Sequence, residues 1–286
     1  MYPLEYTTSR DIFHDFCLWE YRPDIPFEDK FRSVNLLYNS FDYTGAHGRF
    51  FNLVQAIRQG MGESNTVWGI KQVGADIRWE FYFYDYGRKE RERSITRLLE
   101  IIRSFIPCDI RANENLHYFM FSIDINDELI EEAGDLKEIH MYIGNPGSNV
   151  SSGICYSLTG AKTRLENFYF FFDAKKEMDD IVAKAVCSSY VDFNEIGIDE
   201  IILPELKKCR VIVVANKQCN DSIYFSGIDV DQLIFFLKKM NYPVKLVSFI
   251  EENRSRLDHL RYDVGFDYMM KGTELMIVKS GYYGFF

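Results

Sequence analysis

One pattern recurs along this chain and limits what it can become: a short strand, a tight turn, a second aromatic strand, then an amphipathic helix. It is clearest from Gly153 to Cys187. Thr159-Gly160-Ala161-Lys162 is the turn, because glycine reaches positive φ at little cost and small polar neighbours let the chain reverse. Leu165 to Phe172 has the aromatic composition of a half-buried strand. From Ala174 the period changes: Met178, Ile181, Val182 and Ala185 recur at helical spacing, with lysines and aspartates opposite them.

The same order is read four more times. Val67 to Val73 is a strand, Gly74-Ala75-Asp76 its turn, Ile77 to Tyr86 a second strand and Ser94 to Phe105 a helix. A weaker copy from Cys108 to Gly134 has one clear strand, His117 to Ile125, and a short helix, Asp127 to Ala133; Leu136 to Ile143 reads as an additional strand. The fourth copy has strands Arg210 to Asn216 and Ser222 to Phe225 around a turn, then a helix to Met240 with Asp229 as its N-cap. The fifth has strand LRYDVGFDY, a turn at Lys271-Gly272, and strand ELMIVKSGYYGFF. Tight turns make each pair antiparallel, and repetition at roughly 45–50 residues points to a repeated architecture. The predicted fold class is α+β: repeated β-β-α units forming a closed antiparallel barrel of about ten strands ringed by helices, closure removing the exposed edges.

Residues 1–65 read as helical and irregular, with apolar positions at helical spacing over Phe27 to Leu37 and Arg49 to Gly60. No linker rich in Pro, Gly or Ser interrupts the chain. The expectation is a single domain over 1–286, with 1–65 a helical segment packed on a barrel of 66–286.

Composition agrees. The 286 residues are 16% aromatic, with 24 Phe and 19 Tyr but only 7 Pro, which favours long strands over loops. A net charge of -10 argues against a protein that grips nucleic-acid phosphates. Cys17, Cys108, Cys155, Cys187, Cys209 and Cys219 are scattered without a C-x-x-C, so neither a zinc knuckle nor a disulfide framework is suggested and a reducing compartment is expected. The N-terminus has no basic and apolar regions of a signal peptide, and no long apolar window reads as a membrane span. A cytoplasmic monomer is expected.

Several motifs fall away. Gly160-Ala161-Lys162-Thr163 lacks the spacing of a phosphate-binding loop, and a strand follows where a helix should. There is no Rossmann fingerprint and no G-x-S-x-G elbow. Asp179-Asp180 lacks a second acidic pair, and His14, His47, His117, His140 and His259 show no ligand spacing, so no metal site is indicated.

What remains is a set of charged residues stranded in aromatic strands: Lys71, Arg78, Glu80, Arg164, Glu166, Arg210, Arg261, Asp263, Asp267 and Lys279, with Asn167 among them. Singly, each reads as a solvent-facing or cross-strand-paired position. As a set they need a polar lumen or a ligand, because strands surrounded by helices have little solvated face. In IRWEFYFYDY, Arg78, Glu80, Tyr82 and Tyr84 point one way and Trp79, Phe81 and Phe83 the other.

Three local matches then carry a resemblance. Val278-Lys279-Ser280-Gly281-Tyr282-Tyr283, Cys209-Arg210-Val211-Ile212-Val213-Val214, and Thr163-Arg164-Leu165-Glu166-Asn167-Phe168-Tyr169-Phe170, together with Trp79-Glu80-Phe81, resemble strands of the aromatic prenyltransferases with the ABBA fold. The resemblance spans residues 65–286 in pattern. It implies a barrel holding an allylic diphosphate and an aromatic acceptor. It implies diphosphate binding by Lys71, Arg78, Asn167, Arg210 and Lys279, and a role for Glu80 in orienting or deprotonating the acceptor. Tyr82, Tyr84, Tyr169, Tyr262 and Tyr283 would line the lumen and shield the cation. HYFMFSIDI has no Lys where the family has one, and Tyr82 stands where some members carry a magnesium-binding carboxylate, so catalysis without a metal cofactor is implied. Two other readings stay open: a non-catalytic binding or scaffold protein on the same repeated fold, and an unrelated α+β enzyme using Asp263 and Asp267. Alternation also implies that if Asn167 and Tyr169 face the lumen, Arg164 and Glu166 face the helices.

Overall fold

The computed structural model describes residues 2–15, 19–46, 48–87, 90–131, 134–147 and 150–286; Cys17, His47 and Ala133 lie outside them. The chain opens with a two-residue ladder, β1 (Phe13–His14) with β2 (Glu20–Tyr21), then helices α1 (Val34–Thr44) and α2 (Gly48–Met61). Strands β3 (Thr66–Val73), β4 (Asp76–Tyr84), β5 (Tyr118–Ile125), β6 (Ile139–Gly144) and β7 (Ser151–Leu158) follow, and then β8 (Thr163–Asp173), β9 (Val211–Lys217), β10 (Asp221–Ile228), β11 (Tyr262–Lys271) and β12 (Glu274–Phe285). These ten strands form one closed antiparallel barrel whose order follows the chain, with β12 closing on β3.

Helices α3 (Ile95–Ile102), α4 (Asp127–Glu131), α5 (Met178–Val186), α6 (Val230–Lys239), α7 (Val244–Glu252) and α8 (Arg254–Leu257) lie between the strands in sequence. Their starts are written in side chains. Ser94 accepts the Arg97 N–H at 3.0 Å, and Asp229 forms a capping box with Gln232. The outward face of β4 supplies the core beneath α1 and α2. The Trp79 ring lies 4.5 Å from Phe50 and 5.4 Å from Phe41, and its Nε1–H donates to Ser40 Oγ at 2.9 Å. Among the described residues no helix is long and apolar enough to cross a membrane.

Three expectations change. Phe27 to Leu37 does not form one helix: Asp29 takes φ +59° and its neighbour Lys30 pairs its carbonyl with Thr7, so the helix starts only at Val34. The second unit slips out of pattern, because β5 and β6 are joined through α4 and β6 passes to β7 through 145–150. Helix α7 was not read from the sequence; it starts behind Pro243 and packs on α1 and α6.

Since Trp79 is fully buried between helices and sheet, Trp79→Ala should lower unfolding free energy by about 3–5 kcal/mol in a denaturant titration. A loss below about 1 kcal/mol would contradict this packing.

Candidate functional site

Pleating turns alternate side chains of every strand into the barrel. At one level the even-numbered strands β4, β6, β8, β10 and β12 each supply a tyrosine: Tyr82, Tyr142, Tyr169, Tyr224 and Tyr283. Ring centroids step along the arc at 5.9 Å from Tyr283 to Tyr82, 6.1 Å to Tyr142, 5.8 Å to Tyr169 and 6.3 Å to Tyr224. The odd strands make room. Gly69 lies opposite Tyr283, Gly153 opposite Tyr169 and Gly265 opposite Tyr224. A Cβ on Gly69 would fall 2.6 Å from the Tyr283 ring, and one on Gly265 would overlap the Tyr224 ring. The rings lie across neighbouring strands because those positions carry no side chain.

Above this layer is a cavity of about 760 Å³, walled by Phe119, Met120 and Phe171 and reaching Trp19 and Arg210 at its mouth. That volume suits a small molecule. Burial pushes the Tyr82, Tyr142, Tyr169 and Tyr283 hydroxyls well above the ordinary phenol value, with the charge of Glu80 adding to the effect at Tyr82 and Tyr283. They are neutral hydroxyls, of which those of Tyr82 and Tyr283 donate hydrogen bonds to Glu80.

Beneath the layer the lumen is ionic. Lys71 Nζ lies 2.6 Å from Glu80 Oε1 and 2.7 Å from Asp124 Oδ2. Glu80 Oε2 also accepts from the Tyr82 hydroxyl at 3.0 Å and the Tyr283 hydroxyl at 3.2 Å. On the facing wall Lys217 Nζ donates to both oxygens of Asp267 at 2.8 Å, Ser222 Oγ donates to Oδ1 at 2.6 Å, and Lys279 Nζ stands 3.6 Å from Oδ2. Burial alone would raise the Asp267 carboxyl, but Lys217 and Lys279 outweigh it and hold the group below its usual range. Burial likewise opposes the charge on Lys279, and Asp267 and Glu80 overcome it, holding the ammonium above its ordinary value. Lys71, Lys217 and Lys279 thus face Glu80, Asp124 and Asp267, and the six formal charges cancel.

The sequence-derived site is therefore divided. Glu80, Lys71 and Lys279 do meet in the lumen, below Tyr82, Tyr169 and Tyr283. Asn167 shares that face and donates to the Tyr169 hydroxyl at 3.3 Å. Tyr84 faces inward nearer the mouth, its ring 5.9 Å from Tyr86. Arg210 does not join the lysines: it sits at the mouth, 4.5 Å over the Trp19 ring and 3.2 Å from Asp15 Oδ2. The register puts its neighbour Val211 on the Ser226, Asp263 and Tyr283 level, four residues or about 13 Å along the sheet from Lys279. Arg78 is at the opposite rim, half-exposed and 3.5 Å from Asp76. The five proposed diphosphate residues thus form no single cluster.

Tyr262 is not a lumen residue. Asp263 and Asp267 take the inner face of β11, so alternation sends Tyr262 outward, where its hydroxyl donates to the Leu257 carbonyl at 3.4 Å. Asp263 and Asp267 do not act together either. Asp263 accepts the Gly227 N–H at 3.0 Å, about 13 Å up the strand from the lysine-bound Asp267.

In β8 the alternation rule fails, as it does where the pairing slips between Tyr118 and Met120, Ser226 and Ile228, and Asp267 and Tyr268. Asn167 pairs with Cys155, but Leu165 pairs with Tyr156, leaving Glu166 as the extra residue of a β-bulge. Arg164, opposite Ser157, therefore shares the inner face with Asn167, and its guanidinium binds Glu166 at 2.6 Å rather than a residue of the helices.

Sequence reading missed Tyr142, Tyr224, Asp124 and Lys217. The signal existed for Asp124, since Met120, Ser122 and Asp124 alternate with Phe121, Ile123 and Ile125 in β5. Cys155 also faces the lumen, but burial pushes its thiol up to about 12, which makes it a poor nucleophile. Among the described residues no three His, Cys, Asp or Glu side chains converge as a metal-binding group.

Two outcomes follow from this geometry. Gly265→Ala should cost about 1–3 kcal/mol by forcing the Tyr224 ring aside, and a neutral result in thermal unfolding would show that the ring does not lie across β11. Because the folded-state carboxyls of Asp124 and Asp267 are lowered, their stabilisation is present above about pH 4 and is lost as pH falls through their folded values. Unfolding free energy should drop on acidification below about pH 4, with a shallower slope in Asp267→Asn; an unchanged slope contradicts the pairing.

No family model matches the chain. It is 21% identical over 263 residues to the putative JmjC domain-containing protein L887 of Acanthamoeba polyphaga mimivirus, covering 78% of this chain and 42% of that protein. The chain thus spans less than half the length of this curated relative. Among solved structures, it resembles 6-dimethylallyltryptophan synthase from Micromonospora olivasterospora, captured with DMASPP and Trp. The TM-score is 0.51 at 10% identity, with 87% of this chain and 95% of that one covered. Ten antiparallel strands closed in chain order, with helices between their pairs, have the architecture of that enzyme: the fold of this chain is the ABBA prenyltransferase barrel.

Proposed function

We propose that this barrel transfers an allylic group from its diphosphate to an aromatic acceptor held in the tyrosine-lined chamber. The observation that carries the reading is the arc of five tyrosines directly over Glu80, two of whose hydroxyls bond that carboxylate. Ring faces around a chamber stabilise a carbocation by about 0.5–2 kcal/mol each and keep water from it. In the reaction the allylic C–O bond breaks and its electron pair leaves with diphosphate. The acceptor ring then bonds the allylic carbon and gives up a proton, for which Glu80 is the base. Lys279 and Lys71 are the cations assigned to the leaving group. No metal enters the proposal, since Tyr82 stands where a carboxylate would hold one and the lumen carboxylates already bind lysines.

A second reading, non-catalytic binding of an aromatic small molecule, is favoured by one observation. The three lysines below the tyrosines already face three carboxylates, so a diphosphate meets no net positive charge there.

The experiment is thermal unfolding with thio-analogues of dimethylallyl and geranyl diphosphate, followed by incubation of the true diphosphates with indoles and phenols and mass analysis. Transfer predicts stabilisation of about 2.7 kcal/mol at a hundredfold excess over Kd. It also predicts an acceptor mass increased by one prenyl group, a product that persists in EDTA, and its loss in Glu80→Gln and Lys279→Ala with unfolding still cooperative. Stabilisation by an aromatic compound but by no diphosphate of any chain length selects the binding reading.

A further inference from the structure

A proton taken up at Glu80 lies beneath the tyrosine layer, and the structure provides a path onward. The Tyr82 and Tyr283 hydroxyls donate to Glu80 Oε2; Glu80 Oε1 accepts from Lys71 Nζ at 2.6 Å; Lys71 Nζ reaches Asp124 Oδ2 at 2.7 Å. These contacts cross four adjacent strands, β12, β3, β4 and β5. Exposure changes sharply along them: the side chains of Lys71 and Glu80 are 5% and 8% exposed, that of Asp124 50%. Asp124 borders a groove with Arg78 and Glu138, at the end of the barrel remote from the mouth at Trp19 and Arg210.

We propose that Tyr82 and Tyr283, Glu80, Lys71 and Asp124 form a proton exit from the chamber to solvent at the barrel's far end. The source of the proton rests on the prenyl-transfer reading; the conducting chain itself does not. The Tyr82 or Tyr283 hydroxyl gives its proton to Glu80 as it takes one from the chamber; Lys71 then gives one proton to Asp124 and takes the proton held by Glu80, and Asp124 releases its proton to water. Glu80 and Asp124 end as carboxylates, Lys71 ends as an ammonium, and one proton has crossed. Hydrogen bonds of these lengths are within the reach that proton transfer requires.

Asp124 completes the charge balance of the lumen, but that balance does not require exposure: Lys71 and Glu80 are enclosed, whereas the Asp124 side chain is 50% exposed. Its position suits the last station of a relay, where water can take the proton. Desolvation on its inner side opposes the charge, but Lys71, His140 and Lys279 outweigh it and hold the carboxyl below the usual range, so a proton that reaches Asp124 passes on to water at its exposed side. Arg78 and Glu138 stand with it at the groove.

The test combines a readout that needs no turnover with one that does. In protein labelled with 13Cζ-tyrosine, hydroxyl exchange of Tyr82 and Tyr283 in mixed H2O and D2O is followed by NMR, each signal assigned by its Phe variant. Asp124→Asn should slow exchange at least about tenfold and Asp124→Glu should restore it, in line with the usual size of acid–base contributions. Unchanged exchange in Asp124→Asn, or in Asp124→Ala should the first variant fail to fold, overturns the relay. Where prenylated product forms, Asp124→Asn should lower kcat more than it raises KM and shift the acid limb of the pH profile. A kcat and profile identical to the parent also overturn it. A protein that makes no product but whose tyrosine exchange depends on Asp124 keeps the relay and loses only the transferase reading.

Discussion

Closing a sheet on itself removes solvent from one of its faces, and charges on that face must then find partners on other strands. This requirement organises the lumen. Lys71 on β3 is held by Glu80 on β4 and Asp124 on β5. Asp267 on β11 is held by Lys217 on β9, Ser222 on β10 and Lys279 on β12. Six of the ten staves are thereby tied across their neighbours by charge, and a seventh, β10, by the Ser222 hydroxyl, as well as by the backbone ladder. An unpaired charge here would cost several kcal/mol, so these partners fix how the walls sit against each other. The tyrosines rest on this floor, two of them bonded to it through Glu80.

Much of the fold was legible because it depends on local periods. The alternation in IRWEFYFYDY correctly separates the lumen side from the side that packs on α1 and α2, and Asp229 announces α6. Facing is written in the sequence, but depth is not. Arg210 and Lys279 sit at different levels because depth depends on the stagger between strands, a property of the closed barrel rather than of any segment. The resemblance places Tyr262 inward, although its neighbour Asp263 occupies the inner position. Lys217 looked like a residue leading into a turn; only the closed sheet brings it to Asp267.

The barrel shared with a dimethylallyltryptophan synthase places a chamber at its centre, and the residues within it decide the chemistry. Here that chamber is a wall of tyrosines fitted against glycines, resting on a neutral set of charges. The tyrosines alternate by strand: β4, β8, β10 and β12 supply theirs as second strands of hairpins, and β6 supplies Tyr142 although it follows β5 through α4. In three cases the strand opposite supplies the glycine.

The extra residue at Glu166 shows how such a chamber can be rewritten. Along a pleated strand, position parity works like a reading frame, and the bulge is a frameshift within β8. Above it the frame presents Asn167 and Tyr169 to the interior; below it the frame presents Arg164, three residues from Asn167, a spacing that an unbroken strand would split between its two faces. A single insertion or deletion in one stave can therefore exchange the interior and exterior alphabets of everything beyond it. The barrel can change its contents through length alone, with its composition and hydrophobic pattern almost untouched.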